Sequence, residues 1–424
     1  MRRLWTAILA LLLAHPVASD PLREGRAVFL GLPDAPGQVA IGRDTAPVAR
    51  FPCHSCHRRD GRGGGEGDAP PIAWEELTRP TAARPAYDPE SFAHLLATGE
   101  TPSGRQLSRL MPSYLLEPEV IAALIGYLGA LTAEQKTGIH HDRIIFGVPV
   151  DAENPASGQR LARALETALA AKMPPNGLHG RHVEIRPLVG TAQEILDLGK
   201  TEVVAILSPP PSAKIDLSRF TKAGVPVLFP LEAVTESTDP TLLRSLYASR
   251  ERLAERLVQG AIADGCDHPR IAAETKVRAT DLLALFPDRH PLSSGDTPDC
   301  LLITGGDAAR GMRDEARTIY TTGDIAIGTP SLFRAHRGKI IIGRHETAAL
   351  ELALTRNIST TSAHATLVSE ILHDALLAAG RDLTRTSLLL HIGSVSRPDL
   401  GLTFSQGDAF GSKTVTLQTF TIAD

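Results

Sequence analysis

Residues 50–71 read RFPCHSCHRRDGRGGGEGDAPP and set two thiols and an imidazole in the order Cys53-x-x-Cys56-His57. Two cysteines about one helical turn apart can aim both sulfurs the same way, so they can add across the two vinyl groups of one haem. The next residue, His57, is then carried beneath the iron. This spacing predicts a c-type haem attachment site, with one covalent haem c as cofactor. Three other chemistries use the same residue types: a thioredoxin-like redox pair, half of a zinc site and a structural disulfide. A redox pair belongs at a strand-to-helix turn of a βαβ unit. A zinc site needs a second close pair of ligands, which Cys266 and Cys300 do not supply.

A ligating imidazole usually has its second nitrogen fixed by a backbone carbonyl. The glycines at 61, 63, 64, 65 and 67 let the chain fold back over the motif, and Pro70-Pro71 can then present a carbonyl rigidly, with Pro71 as the expected support of His57. Met111 is the expected sixth ligand of the iron: it is the only methionine between the first residue and Met173, and Pro112 fixes the loop behind it. His94 competes for that role, but PESFAHLLATGE has the apolar spacing of a helix that would pack it.

The elements around these residues follow from pattern. Glu117-Pro118-Glu119 suits a helix start, and Val120, Ile121, Leu124, Tyr127, Leu128 and Leu131 then form one stripe. In LREGRAVFLG, Gly25 and Phe29 give an opening helix a small site and a large one four residues apart, where a second helix can cross closely. In this order, the opening helix, the Cys53–His57 motif, the Met111-Pro112 loop and the closing helix resemble a class I cytochrome c over residues 20–131. The resemblance implies an all-α domain in which Cys53 and Cys56 hold the haem and His57 and Met111 ligate its iron. The LPDAPGQVAIGRDTAPVARFP stretch departs from that pattern. A soft thioether opposite the imidazole raises the redox potential and fills the coordination sphere, which implies single-electron transfer rather than catalysis.

The chain is long for one core, with 424 residues, so two or three domains are expected. It begins MRRLWTAILALLLAHPVASD: Arg2 and Arg3, an apolar run from Leu4 to Ala14, then the small residues Val17-Ala18-Ser19. This reads as a signal peptide, 1–19, and the run is shorter than the roughly 20 residues a membrane-spanning helix needs. A periplasmic protein with no membrane span after cleavage is expected. Cleavage removes two arginines and takes the formal charge from −4 to −6, which argues against nucleic acid.

LTAEQKTGIHHD is polar and reads as a linker over 132–142, with His140 and His141 solvated. Beyond it, the strand-like runs IIFGVPV, HVEIRPLV, EVVAILS and VPVLFPL alternate with helical ones such as 156–172. After a break come a helix over 250–264, strand RIAAE, helix ATDLLALF, strand CLLITGG, helix AARGMRDEARTIY, strand DIAIG and then KIIIG. Such alternation implies parallel strands with covering helices, an α/β fold. The phrases ASGQRLARALETALAAK, NGLHGRHVEIRPL, FTKAGVPVLFP, LVSEILHDALLAAGRDLTRTSLLLHI and LGLTFSQGDAFGSKTVTLQTF together resemble, over 143–424, the type I periplasmic binding proteins of the branched-chain amino-acid receptor kind. That resemblance implies two doubly wound lobes with a ligand cleft at the strand carboxyl ends. It makes Ser208 and Ser212, which flank the prolines 209–211, candidate contacts to a small organic or amino-acid-like ligand. Glu232 and Asp307, at strand ends, are further candidates. The prolines remove backbone donors there, so a changed or lost ligand is expected.

Cys266 ends a helix before strand RIAAE, and Cys300 precedes strand LLITGG. If these strands are parallel neighbours, a disulfide can join them at one sheet edge, the alternative being two free buried thiols. No nucleophile, base and orienting residue share a recognisable spacing, so an enzyme is not expected. The whole reads as an electron carrier with a receptor-like domain that recognises a small molecule or docks a redox partner, by analogy a quinoprotein dehydrogenase. Two rival functions remain: a solute-binding receptor of an ABC-type transport system with an accessory haem, and a haem-based sensor in which Met111 leaves the iron.

Overall fold

Gly25 decides how the first unit packs: a Cβ there would stand 2.1 Å from the carbonyl oxygen of Ala123, so only a hydrogen lets the two helix backbones meet. The helices are α1 (Arg23–Leu30) and α5 (Pro118–Gln135), and the rings of Phe29 and Tyr127 lie 5.4 Å apart beside the crossing. Val120, Leu124, Tyr127, Leu128 and Leu131 are the buried stripe of α5. The computed structural model describes residues 22–236, 239, 241–273, 275–286, 298–305, 317–323, 336, 338–404 and 408–422. By its internal contacts the chain divides into Met1–Gln135 and Lys136–Asp424. α5 therefore carries the first four residues of the stretch 132–142 as helix.

The first unit is not all-α. β1 (Gln38–Ile41) and β2 (Asp44–Pro47) form a hairpin, and β3 (Ser113–Leu115) pairs antiparallel with β1, joining the three strands into one sheet. The physical reason lies in the residues between α1 and the cysteine motif. Val39 and Tyr114 stand opposite each other in the register and both are buried, so the added segment is tied to the chain that follows Met111-Pro112. Three short helices complete the unit: α2 (Cys53–His57), α3 (Trp74–Leu77) and α4 (Pro89–Thr98). Asp88 and Ser91 close the start of α4 with a reciprocal cap.

Among the described residues, the second unit has a mixed α/β fold built on two five-stranded sheets. The first holds β4 (Arg143–Asp151), β5 (His182–Gly190), β6 (Ala205–Leu207), β7 (Val227–Leu228) and β8 (Leu243–Arg244), all parallel, in the order β5-β4-β6-β7-β8. This is a doubly wound order, whose chain direction across the sheet reverses between β4 and β6. α6 (Pro155–Lys172), α7 (Ala192–Thr201) and α8 (Leu217–Lys222) accompany it. The second sheet holds β9 (Pro269–Ala272), β10 (Cys300–Ile303), β11 (Thr318–Thr322) and β12 (Gly338–Arg344), parallel and in sequence, with α9 (Arg250–Ala263) and α10 (Lys276–Leu283). Thr318-Ile319-Tyr320, expected at the end of a helix, is strand instead. Its β-branched and aromatic residues lie between two other strands. Residues 308–316 and the expected strand DIAIG lie outside the described residues.

After β12 the chain returns to the first sheet, where α11 (Thr347–Arg356), α12 (Thr360–Ala379) and α13 (Arg385–Ile392) share its core. A small hairpin, β13 (Ser396–Arg397) and β14 (Leu402–Thr403), precedes β15 (Thr416–Ile422), which closes the second sheet antiparallel to β12. The chain thus passes between the sheets three times, and the passages are fastened together. Ser245 N–H donates to Ala409 O at 2.7 Å, Gly411 N–H donates to Ser245 O at 2.8 Å, and the hydroxyls of Thr347 and Thr416 are 3.0 Å apart.

Cys266 and Cys300 form a disulfide with Cα atoms 5.9 Å apart. Its basis is the one expected: β9 and β10 are parallel neighbours, and Cys300 lies opposite Pro269. Among the described residues no helix is long and apolar enough to cross a membrane.

Candidate functional site

α2 contains the motif itself, entered from Pro52 in extended backbone and left through Arg58 at φ 60°. Cys53 and Cys56 are free thiols. Burial pushes the Cys53 thiol up to about 12, against the pull of the neighbouring Tyr114 side chain, whose hydroxyl donates to Phe51 O at 2.7 Å. Cys56 is also raised, by burial and then by the carboxylate of Glu66, which lies 3.7 Å from its sulfur.

His57 is buried and its Nδ1 stands 2.7 Å from the carbonyl oxygen of Pro70. A carbonyl only accepts, so the proton sits on Nδ1 and the lone pair of Nε2 is directed away. Burial lowers the basicity of the ring and the Pro70 carbonyl partly restores it. The acceptor is thus Pro70 and not the expected Pro71. Pro71 acts one step removed, by restricting Pro70 to extended backbone. The loop closes through Gly63 N–H to His57 O at 3.0 Å, Gly64 N–H to Ala69 O at 2.9 Å and Ile72 N–H to Gly61 O at 2.8 Å. A side chain on Gly63, at φ 79°, would stand 2.2 Å from Ala69 O, so the return of the chain over His57 depends on that glycine.

Met111 is half-buried against the hydrophobic cluster that also receives Cys53 and contains Phe29, Tyr127 and Tyr114. Its N–H donates to Ser108 O at 3.0 Å, in a turn whose Leu110 is 85% exposed. His94 is not packed by its helix: it faces solvent, 3.5 Å from Glu100. Among the described residues no three His, Cys, Asp or Glu side chains converge as a metal cage, which leaves the half-zinc reading without a ligand set there.

Leu231 N–H donates to Pro209 O at 3.2 Å, so the loop of Glu232 runs beside the one that follows Ser208, but the candidate ligand residues described in the second unit differ in their surroundings. Ser208 follows β6, beside the point where the chain direction reverses, but it faces the core: it is fully buried at φ 48°, its Oγ 2.9 Å from His364 Nε2. His364 Nδ1 in turn lies 2.5 Å from the Tyr247 hydroxyl. Desolvation pushes His364 down to about 3, so the ring is neutral. Ser212 lies in the single turn Pro211–Ala213, with its Oγ buried and without a hydrogen-bond partner. Glu232 is half-buried in the loop after β7, and Asp307 lies outside the described residues. Sequence reasoning missed His364. The signal available was its place in the buried stripe of α12, between Ala363 and Leu367, where an imidazole needs partners.

No family model matches the chain, and a search of curated proteins finds no match. Solved structures similar to it include a possible leucine/isoleucine/valine-binding protein from Rhodopirellula baltica SH 1, at 15% identity and a TM-score of 0.49, covering 68% of this chain and 98% of that one. A substrate-binding periplasmic protein from Ralstonia solanacearum is similar at 14% identity and a TM-score of 0.47, covering 65% of this chain and 96% of that one. A fatty acid ABC transporter substrate-binding protein from Thermomonospora curvata is similar at 15% identity and a TM-score of 0.45, covering 67% and 90%. Likenesses of this size carry no argument about what this chain binds.

Proposed function

We propose that this protein is an exported electron carrier, in which the first unit holds one covalent haem and the second unit recognises a small molecule or docks a redox partner. The observation that supports the reading best is the fixed imidazole: His57 Nδ1 is held on Pro70 O at 2.7 Å one residue from a free thiol, with the second free thiol on the same helical turn. Two reduced sulfurs, an imidazole with its Nε2 lone pair directed outward and a thioether against the same apolar cluster are the donor set that a His/Met-ligated haem c needs. When bound, the haem supplies a one-electron couple.

The chain's own residues supply the rest. Cys53 and Cys56 provide the attachment sulfurs. Pro70 holds the ring orientation and tautomer of His57, and Met111 provides a soft, neutral ligand that favours the reduced iron. Phe29, Leu124, Tyr127 and Leu128 exclude water from the neighbourhood, which also favours the less charged state.

The test is a redox and ligand-binding comparison of the intact protein with its Met111→Ala variant. The reading expects a reduced native protein that does not take up carbon monoxide, and a variant with a lower potential that does. A native protein that binds carbon monoxide readily supports the sensor alternative instead.

A second reading, a receptor that delivers a solute to a transport system, is favoured by one feature of the second unit: a parallel sheet and a second sheet with one antiparallel edge strand, joined by three fastened passages, an arrangement suited to closing over a ligand. Screening small ligands by thermal shift and repeating the haem redox titration with any hit separates the two. A ligand that moves the potential couples the units; one that leaves it unchanged favours the receptor reading.

A further inference from the structure

β15 joins the second sheet through β12 alone, and its other side is open. Its residues, TLQTFTI, carry no charge and no proline. Among the described residues no backbone hydrogen bond reaches the outer side of these seven residues. An edge strand aims the N–H and C=O of every second residue outward, so β15 presents a row of unpaired donors and acceptors. Thr416, Thr419, Phe420 and Thr421 are exposed, Phe420 to 49%. The strand is nevertheless firmly seated. Leu417 packs against α9 where Gly260 leaves it room, since a Cβ there would stand 2.6 Å from it, and the Thr416 hydroxyl is 3.0 Å from that of Thr347.

The other edges of the two five-stranded sheets are guarded. β5 carries Glu184, Arg186 and Pro187, and Arg186 binds both Glu184 and Glu202. β9 is four residues long and begins with Pro269. β8 has two residues, and Ser245 next to it is paired with Phe410. Charges, prolines and short lengths are the usual means by which a folded chain keeps its edges from pairing. β15 has none of them.

We propose that β15 pairs antiparallel with β15 of a second copy of this chain, about a two-fold axis at Thr419, so that the second sheets of the two copies become one. A two-fold axis normal to a sheet sets two identical strands antiparallel, and each copy then supplies the same donors and acceptors to the other. With the axis at Thr419 all seven residues overlap: Thr416 comes level with Ile422 of the other copy, and Gln418 with Phe420. Two uncharged strands approach without repulsion, and β15 has no charge with which to select a foreign strand. Because Leu417 faces α9, Gln418 and Phe420 share the opposite face, level with Ile342 and Ile340 of β12. Across the axis the half-exposed ring of Phe420 covers Gln418 of the other copy. One strand-to-strand contact is smaller than the standard interface of roughly 1,600 Å², so the dimer is expected to come apart on dilution. The inference does not depend on the haem.

The experiment is sedimentation equilibrium of the intact protein and two double variants, at concentrations from roughly 1 to 200 μM. The mass of the wild type is expected to rise from that of one chain toward that of two. Gln418→Lys/Phe420→Lys sets lysine opposite lysine twice across the axis and is expected to weaken association at least about tenfold. Gln418→Glu/Phe420→Lys sets opposite charges at the same two places and is expected to restore it. Both variants lack the ring of Phe420, so the difference between them reads the contact between copies and not the loss of an aromatic side chain. A wild type with the mass of one chain throughout leaves the edge to a strand of another protein or to none, and overturns the proposal. A mass that climbs past two chains, undiminished association of the lysine pair, or equal association of the two variants overturns it as well.

Discussion

His364 holds the hydroxyl of Ser208, a residue 156 positions earlier in the chain, with Nε2 and Oγ 2.9 Å apart, and meets the Tyr247 hydroxyl through its other nitrogen. All three side chains are fully buried or nearly so. The contact joins the end of β6 to α12 and to the first passage between the sheets. It turns a serine expected to face a ligand into part of the core. A neutral imidazole with a partner on each nitrogen is satisfied; a charged one has no carboxylate within this trio.

A pH dependence follows. Burial pushes His364 from its ordinary 6.5 down to about 3 in the folded chain, so between these values the unfolded chain binds one proton more. This contribution to stability is full above about pH 6.5 and is lost as the pH falls toward about 3. Denaturant unfolding of the second unit between pH 7 and pH 4 should fall off more steeply in the wild type than in His364→Gln, by up to about 1.4 kcal/mol per pH unit for one proton. Parallel slopes would show that the ring is not held neutral.

The disulfide closes a loop with a sequence separation of 34 between Cys266 and Cys300. On the chain-entropy account, whose mechanism is disputed, such a closure stabilises by roughly 3–4 kcal/mol. A Cys266→Ser/Cys300→Ser variant should unfold at correspondingly lower denaturant in its second unit, with the spectrum of the first unit unchanged. An unchanged midpoint would mean that the bridge contributes nothing to the fold.

Gly25→Ala tests the helix crossing in the first unit. The added methyl would stand 2.1 Å from Ala123 O, backbone that cannot turn aside as a side chain can, so α1 and α5 must separate. A loss of about 1–3 kcal/mol, the usual cost of overpacking, is expected in thermal unfolding of this unit. Gly129→Ala, on the exposed face of α5 where a Cβ meets nothing within 4 Å, provides the comparison for the effect of a methyl away from any neighbour.

The legible parts of the fold are those written in local pattern. The apolar stripe of α5, the small and large residues of α1 and the alternation behind the α/β unit depend on residues near one another in sequence, and the two cysteines fall at the ends of adjoining strands. The rest depends on contacts between residues distant in sequence. β1, β2 and β3 are three or four residues long, too short for alternation to register, and β3 pairs with a β1 that lies far earlier in the sequence. Thr318-Ile319-Tyr320 continues a helical stripe on paper, and only the strands on both sides make it a strand. Ser208 and His364 could not be paired from spacing, and the expected acceptor at Pro71 was one residue off because either proline of the pair offers a carbonyl.

The central claim is that one iron porphyrin is joined covalently to Cys53 and Cys56, and the most direct test is the mass of the denatured, exported chain made in cells with a working haem-ligation machinery. The account predicts the mass of the processed polypeptide plus one haem, resistant to acid extraction, with neither of these thiols open to alkylation and with the added mass lost in Cys53→Ser/Cys56→Ser. A colourless chain whose Cys53 and Cys56 both alkylate would contradict it.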